Sequence, residues 1–205
     1  GAVVLALEED PHEPPARPFH VEALPEEAAR EAVRLARRLA LPLEGYTADG
    51  GFFVEGDSPL LEAHQRLLGV EAEGADLLRL SSPLVRLQVL AEGEAPVERL
   101  LEALPRGLQA HVAESPKMPG VRFVSLTKEG VSKLSAARLV AEAYGLPLSE
   151  CAMVGDGEND LELLRAVGVG IAMGNAPPSG KRAAQRVVAP VEACGLAEAL
   201  RLLRG

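Results

Sequence analysis

The chain has 205 residues, 47% of them apolar and only 3% aromatic, with a formal net charge of −9 at pH 7. That length allows one large domain or two small ones, and the core must be built from Leu, Val and Ala. The acid excess without a basic stripe argues against nucleic acid as a partner. No segment reaches the apolar length of a membrane span, and nothing resembles a secretory leader.

Cys151 and Cys194 lie in unrelated apolar settings, which fits reduced thiols in the cytoplasm better than a disulfide. Four lysines against seventeen arginines, a single Ile and 16 prolines lean toward a GC-rich genome and a thermophile.

In chain order, Ala2 to Leu7 reads as a strand, and the acidic, proline-rich run from Glu8 to Pro18 as a linker. A helix follows from Pro25 to Leu39, with Glu26 and Glu27 in its first turn and arginines toward its end. Leu43 to Val54 reads as a hairpin turning at Ala48-Asp49-Gly50-Gly51. Then come a helix at Pro59 to Leu68, a strand at Leu84 to Ala91, a helix at Pro96 to Leu104 and a strand at Leu108 to Ala113. This first half is expected to be α+β with an antiparallel sheet.

Near Ser115-Pro116-Lys117-Met118-Pro119-Gly120 the pattern changes. A strand at Val121 to Leu126, a helix at Val131 to Tyr144, a strand ending at Val154, a helix to Val167, short strands at Gly168 to Met173 and at Val187-Val188, and a closing helix at Gly195 to Leu203 follow. Alternating strands and helices imply a parallel, doubly wound sheet, an α/β Rossmann-like core. The expected division is an entry strand and linker of the core over 1–16, an α+β domain over 17–117 and the α/β core segment over 118–205.

The densest chemistry lies in Val154-Gly155-Asp156-Gly157-Glu158-Asn159-Asp160 and Gly174-Asn175-Ala176, which hold the chain's two asparagines. The first segment reads as strand, tight turn, helix, with Asp156 at the carboxyl end of the strand, where ligands bind in open α/β sheets. Two carboxylates there suit a hard cation, so Asp156 and Asp160 are the candidate metal residues. An Asp at a helix start also caps without metal. Two acids, Asn159 and two glycines together favour a site. Asn159 offers neutral amide donors to a phosphate oxygen. Lys133, behind the N-cap candidate Ser132, puts a cation in a first helical turn against the dipole, which hints at a second task. Beside an anion site it would neutralise phosphate.

Other motifs fail. An EF-hand loop needs Gly at its sixth position, where Leu161 does not fit, and a late Glu, which is missing. Gly174 to Lys181 is one residue too long for a phosphate loop, has Arg182 in place of Ser or Thr, and loses backbone donors at Pro177 and Pro178. His12, His20, His64 and His111 show no ligand spacing.

Lys133, Gly155-Asp156-Gly157-Glu158-Asn159-Asp160 and Ala172-Met173-Gly174-Asn175-Ala176 together resemble the haloacid dehalogenase (HAD) superfamily, specifically its Cof-type phosphatases with a class IIB cap. Leu134 stands where the family usually has Gly after the Lys. The resemblance implies a Mg2+-dependent phosphatase of a small phosphorylated metabolite, such as a sugar phosphate, working through an aspartyl-phosphate. Lys133 and Asp156 would be catalytic, Lys133 and Asn159 would hold phosphate, and Asp156 and Asp160 would serve the metal. The family's nucleophile sits in Asp-x-Asp-Gly-Thr, and no such motif occurs in these 205 residues. Glu8-Glu9-Asp10 is a poor imitation, with Pro11 and His12 for Gly-Thr. The resemblance therefore implies a core lacking its first strands. The competing expectation is a catalytically silent module of the same fold that holds phosphate or metal.

Overall fold

The computed structural model describes residues 2–5 and 18–204. The end of the first expected strand and the linker, Pro18 apart, lie outside those residues. The described chain divides into two compact units, Ala2–Gly130 and Val131–Gly205.

The first unit is organised by strands whose apolar residues alternate, so that one face of a sheet is buried under two helices. Strand β1 (Val3–Leu5) pairs antiparallel with β2 (Pro18–Val21). Helix α1 (Glu26–Arg38) has Glu26 and Glu27 in its first turn and Arg37 and Arg38 in its last, which matches its dipole. Its buried stripe comprises Ala28, Ala29, Ala32, Val33, Leu35 and Ala36. Next come β3 (Leu43–Thr47), β4 (Phe52–Glu55), α2 (Pro59–Leu68), β5 (Glu73–Gly74), β6 (Leu84–Glu92), α3 (Ala95–Glu102), β7 (Leu108–Ser115) and β8 (Met118–Lys128). The six strands of the main sheet run in the order β5-β4-β3-β6-β8-β7. On one face Leu43, Leu87, Val89, Val124 and Leu126 pack with α1 and with Val97 and Leu100 of α3. Each such side chain contributes roughly 1.5–3 kcal/mol on full burial. On the other face Leu61 of α2 packs with Leu90, Met118, Val121 and Phe123.

That second face also holds a buried polar group. Pairing brings Glu44 opposite Gln88, and Tyr46 opposite both Phe52 and Arg86. The Glu44 side chain is fully buried. Its Oε1 lies 2.7 Å from His64 Nδ1, and its Oε2 accepts from Tyr46 Oη at 2.7 Å and Gln88 Nε2 at 2.8 Å. His64 is therefore a structural residue, as its lack of ligand spacing implied.

The division between units differs from the one read in the sequence. The strand expected at Val121 to Leu126 as the head of the α/β half is part of β8, which pairs antiparallel with both β6 and β7 in the first unit. β7 and β8 are joined by a short hairpin across Ser115–Met118, so the composition change there marks a turn. The leading strand β1, assigned to the core from sequence, also clusters with this unit.

The second unit consists of α4 (Lys133–Ala143), β9 (Ala152–Gly155), α5 (Leu161–Ala166), β10 (Val169–Ala172), α6 (Pro178–Ala183), β11 (Arg186–Val187) and α7 (Gly195–Arg204). Its strands form a parallel sheet in the order β11-β10-β9. The pleat of β10 sets which helix goes where. Ile171 clusters with Val188, Met173 and Ala199 of α7. Gly170 points to the opposite face, where a Cβ would fall 2.2 Å from the Leu164 carbonyl oxygen of α5. Helices thus cover both faces, the expected doubly wound arrangement.

Candidate active site

The site is built at the carboxyl end of β9 and the start of α4, both within the second unit. Ser132 is the N-cap of α4, as expected from sequence. Its hydroxyl accepts from the Ser135 N–H at 3.0 Å, and the Ser135 hydroxyl accepts from the Ser132 N–H at 2.9 Å. This capping box fixes the first turn and makes Lys133 its first residue. A cation there costs about 0.3–1 kcal/mol against the helix dipole. Asp160 offsets that cost: Lys133 Nζ donates to Asp160 Oδ1 at 2.5 Å.

Asp160 closes the short 3-10 turn Glu158–Asp160, which enters α5. It is 2% exposed, and its Oδ2 accepts from the N–H groups of Asp156 and Gly157, each at 3.0 Å. A buried carboxylate needs such partners. Burial by itself would push the Asp160 carboxyl up. The bond from Lys133, the N–H of Gly157, the Lys133 charge and the N–H of Asp156 outweigh it, and the group sits below its ordinary range. Gly155 makes the arrangement possible, because a Cβ there would fall 2.7 Å from Asp160 Oδ2.

Asp156 is exposed at the strand end. Its Oδ2 accepts from Asn175 Nδ2 at 3.0 Å. Asn159 is also exposed, with its Oδ1 close over Gly157. Ser179 Oγ donates to Glu158 Oε1 at 2.6 Å and ties this loop to α6. Lys133, Asp156 and Asp160, picked from sequence, are therefore joined in one hydrogen-bonded cluster. Asn159 lies in its loop without a side-chain bond to the other three. Asn175 was in the motif but had no role assigned to it. Its signal was the chain's two asparagines falling in two neighbouring Gly-rich segments.

Among the described residues no group of three His, Cys, Asp or Glu converges as a metal cage. Asp156 is the carboxylate suited to a hard cation, since it is exposed and a neutral amide occupies one of its oxygens. Both Asp160 oxygens are committed to Lys133 and to backbone N–H groups. Cavities of about 350 Å³ occur in the first unit, one lined by Leu24, Arg30, Val33, Leu77, Leu80 and Leu84 among others. None of the four candidate residues lines it. No helix of the described residues is long and apolar enough to cross a membrane.

A parallel α/β sheet with acids at a strand's carboxyl end and a lysine at a neighbouring helix start places these groups where ligands bind in open α/β folds. Residues 17–200 match the haloacid dehalogenase-like hydrolases, and the chain belongs to that family, as a Cof-type member. A phosphoglycolate phosphatase of Methanothermobacter thermautotrophicus is 34% identical over 82 residues, which span 40% of this chain and 37% of that protein. An HMP-PP phosphatase of Cronobacter sakazakii is 31% identical over 135 residues, which span 63% of this chain and 47% of that protein. The chain thus spans less than half the length of these two curated relatives. Among solved structures, a HAD-superfamily phosphatase of Bacteroides thetaiotaomicron superposes with a TM-score of 0.74 at 26% identity, over 91% of this chain and 67% of that one. A HAD subclass IIB sugar phosphatase shares the fold, with a TM-score of 0.75 at 21% identity over 91% and 69% of the two chains.

Proposed function

We propose that this chain is the cap and the carboxyl-terminal part of the core of a Mg2+-dependent phosphate monoester hydrolase. Its substrate class is a small phosphorylated metabolite such as a sugar phosphate, and its setting is the reducing cytoplasm. The observation that carries the reading is the Lys133–Asp160–Asp156 cluster. The Lys133 ammonium group meets the buried Asp160 carboxylate, which also accepts from the backbone N–H of Asp156, so that the exposed Asp156 carboxylate stands at the same strand end in a chain whose net charge is −9.

The roles follow from the donors and acceptors. Lys133 has three N–H donors and gives one to Asp160, which leaves two for a phosphate oxygen and an attacking carboxylate. Asn159 offers neutral donors to phosphate. Asp156 would hold the cation, and Asp160 would serve the metal site by aligning Lys133 and the Asp156 backbone. The cation, when bound, screens phosphate from the incoming carboxylate and stabilises charge on the transferring group. The nucleophile is an aspartate carboxylate outside these 205 residues. It would attack phosphorus as the ester P–O bond breaks and the metabolite leaves as its alcohol on taking up a proton, and water would then hydrolyse the aspartyl-phosphate to free the aspartate and inorganic phosphate.

The runner-up is a silent HAD-like module that holds phosphate or metal, favoured by the lack of Asp-x-Asp-Gly-Thr in these residues. One experiment separates the two. The complete reading frame is expressed and phosphate release from p-nitrophenyl phosphate is followed with Mg2+. Turnover that Asp156→Ala abolishes supports the hydrolase. Phosphate and Mg2+ binding without turnover supports the silent module. Turnover untouched by Asp156→Ala removes Asp156 from the mechanism.

A further inference from the structure

Asn175 is held on both sides of its amide. The N–H of Val191 donates to Asn175 Oδ1 at 3.2 Å, and Asn175 Nδ2 donates to Asp156 Oδ2 at 3.0 Å. A backbone N–H can only donate and an ionised carboxylate can only accept. Reversing the amide would set a donor against a donor and an oxygen against a carboxylate. The two neighbours therefore fix the amide's orientation between them.

The backbone around Asn175 is equally constrained. Two residues earlier, the Met173 N–H donates to the Gly155 carbonyl at 2.9 Å, next to Asp156 in sequence. The Gly174 N–H donates to the Ala189 carbonyl at 3.2 Å, and the Ala176 N–H to the Met173 carbonyl at 2.9 Å. The turn carrying Asn175 is thereby pinned both to the end of β9 and to the segment that leads into Val191.

We infer that Asn175 is a positioning residue for Asp156, oriented in turn by the Val191 N–H. The inference rests on the hydrolase reading, in which Asp156 holds the cation. A side-chain amide is the donor suited to this place. It occupies Oδ2, fixes the carboxylate's rotation and leaves Oδ1 to the cation. A lysine or arginine would fix the rotation equally well but would compete with the metal for the negative charge. Partners of this kind around a ligating group typically change metal affinity by about 10–100-fold when removed.

The test is Mg2+ titration calorimetry on the protein from the complete reading frame, alongside kinetics at limiting and saturating Mg2+. Asn175→Ala is expected to raise the Mg2+ Kd by about 10–100-fold, with little change in melting temperature because the side chain is exposed. Its deficit in kcat/KM should narrow as Mg2+ is raised, a response that a general folding defect would not give. Val191→Pro removes the orienting donor and keeps Asn175. It should weaken Mg2+ in the same direction but less, and it carries the test if the Ala variant misfolds. A Kd within twofold of wild type in both variants, with binding lost in Asp156→Ala, overturns the role of Asn175 and leaves the hydrolase reading intact. Wild-type Mg2+ affinity in Asp156→Ala overturns the underlying reading itself.

Discussion

Lys133 Nζ and Asp160 Oδ1 meet at 2.5 Å across 27 positions of sequence, and this contact joins the first turn of α4 to the loop after β9. The ammonium group is partly open to solvent, with its side chain 46% exposed, while the carboxylate is 2% exposed. Asp160 is therefore the fixed member and Lys133 the one that can also reach a ligand.

Removing Asp160 should show this asymmetry. Asp160→Ala strips the acceptor from two backbone N–H groups as well as from Lys133. The expected loss is about 1–3 kcal/mol, read from urea unfolding. Asp160→Asn keeps an acceptor for the backbone but removes the charge. It should lose less stability, yet phosphate release should fall at least as far as in Lys133→Met. If the Asn variant keeps full activity, Lys133 does not depend on Asp160 for its placement.

The acid limb of stability should carry the mark of Asp160. Its carboxyl sits below its ordinary range in the folded chain. A depressed carboxyl contributes stability that is complete above the unfolded value of about 3.9 and is lost as pH falls through the folded one. The difference in melting temperature between wild type and Asp160→Asn should thus be largest at neutral pH and shrink below about pH 4. A constant difference across that range would mean that the two protein states titrate Asp160 alike.

Gly155 should be irreplaceable for a local reason. A Cβ there would lie 2.7 Å from both Cβ and Oδ2 of Asp160. Gly155→Ala is expected to cost about 1–3 kcal/mol through overpacking and to displace the carboxylate from Lys133. Circular dichroism melting and phosphate release should both fall. Wild-type values in both would show that the loop relaxes without consequence.

In the first unit, Glu44 should be a stability residue. Glu44→Ala leaves His64, Tyr46 and Gln88 without their shared acceptor, and each buried polar group left unsatisfied costs about 1–3 kcal/mol. Burial, then the Glu44 charge and its hydrogen bond, push the Tyr46 phenol well above its ordinary value. Glu44→Gln removes that charge, so phenolate absorbance should show Tyr46 titrating closer to its usual value of about 10. An unmoved Tyr46 midpoint would remove Glu44 as a cause.

Much of this was legible in advance. Helix α1 lies within its expected span because its acids, apolar stripe and arginines agree at every level. Helix α2 matches from Pro59 to Leu68 because Ser58 caps it and Gly69, in a left-handed conformation, ends it. The site was legible in part. Lys133 was out of place for a helix start, and Asp156 and Asp160 stood out by density. Their connection through Asp160 was not legible, since nothing local tells which oxygen meets which donor.

The amino-acid order alone determined most of the longer elements and singled out Lys133, Asp156, Asn159 and Asp160, because helix caps, periodicity and turn residues act over a few positions, while the short β2, β5 and α6 were not read from it. It did not determine which strands pair: Val121 to Leu126, read as the head of the parallel half, lies in β8 of the antiparallel sheet. Only the tertiary structure decided that, because strand pairing is chosen among distant segments by which faces can be buried together. The same physics left the Asn175 amide to the fold: its two partners lie 19 and 16 residues away, and only packing brings a backbone donor and a carboxylate to its opposite ends.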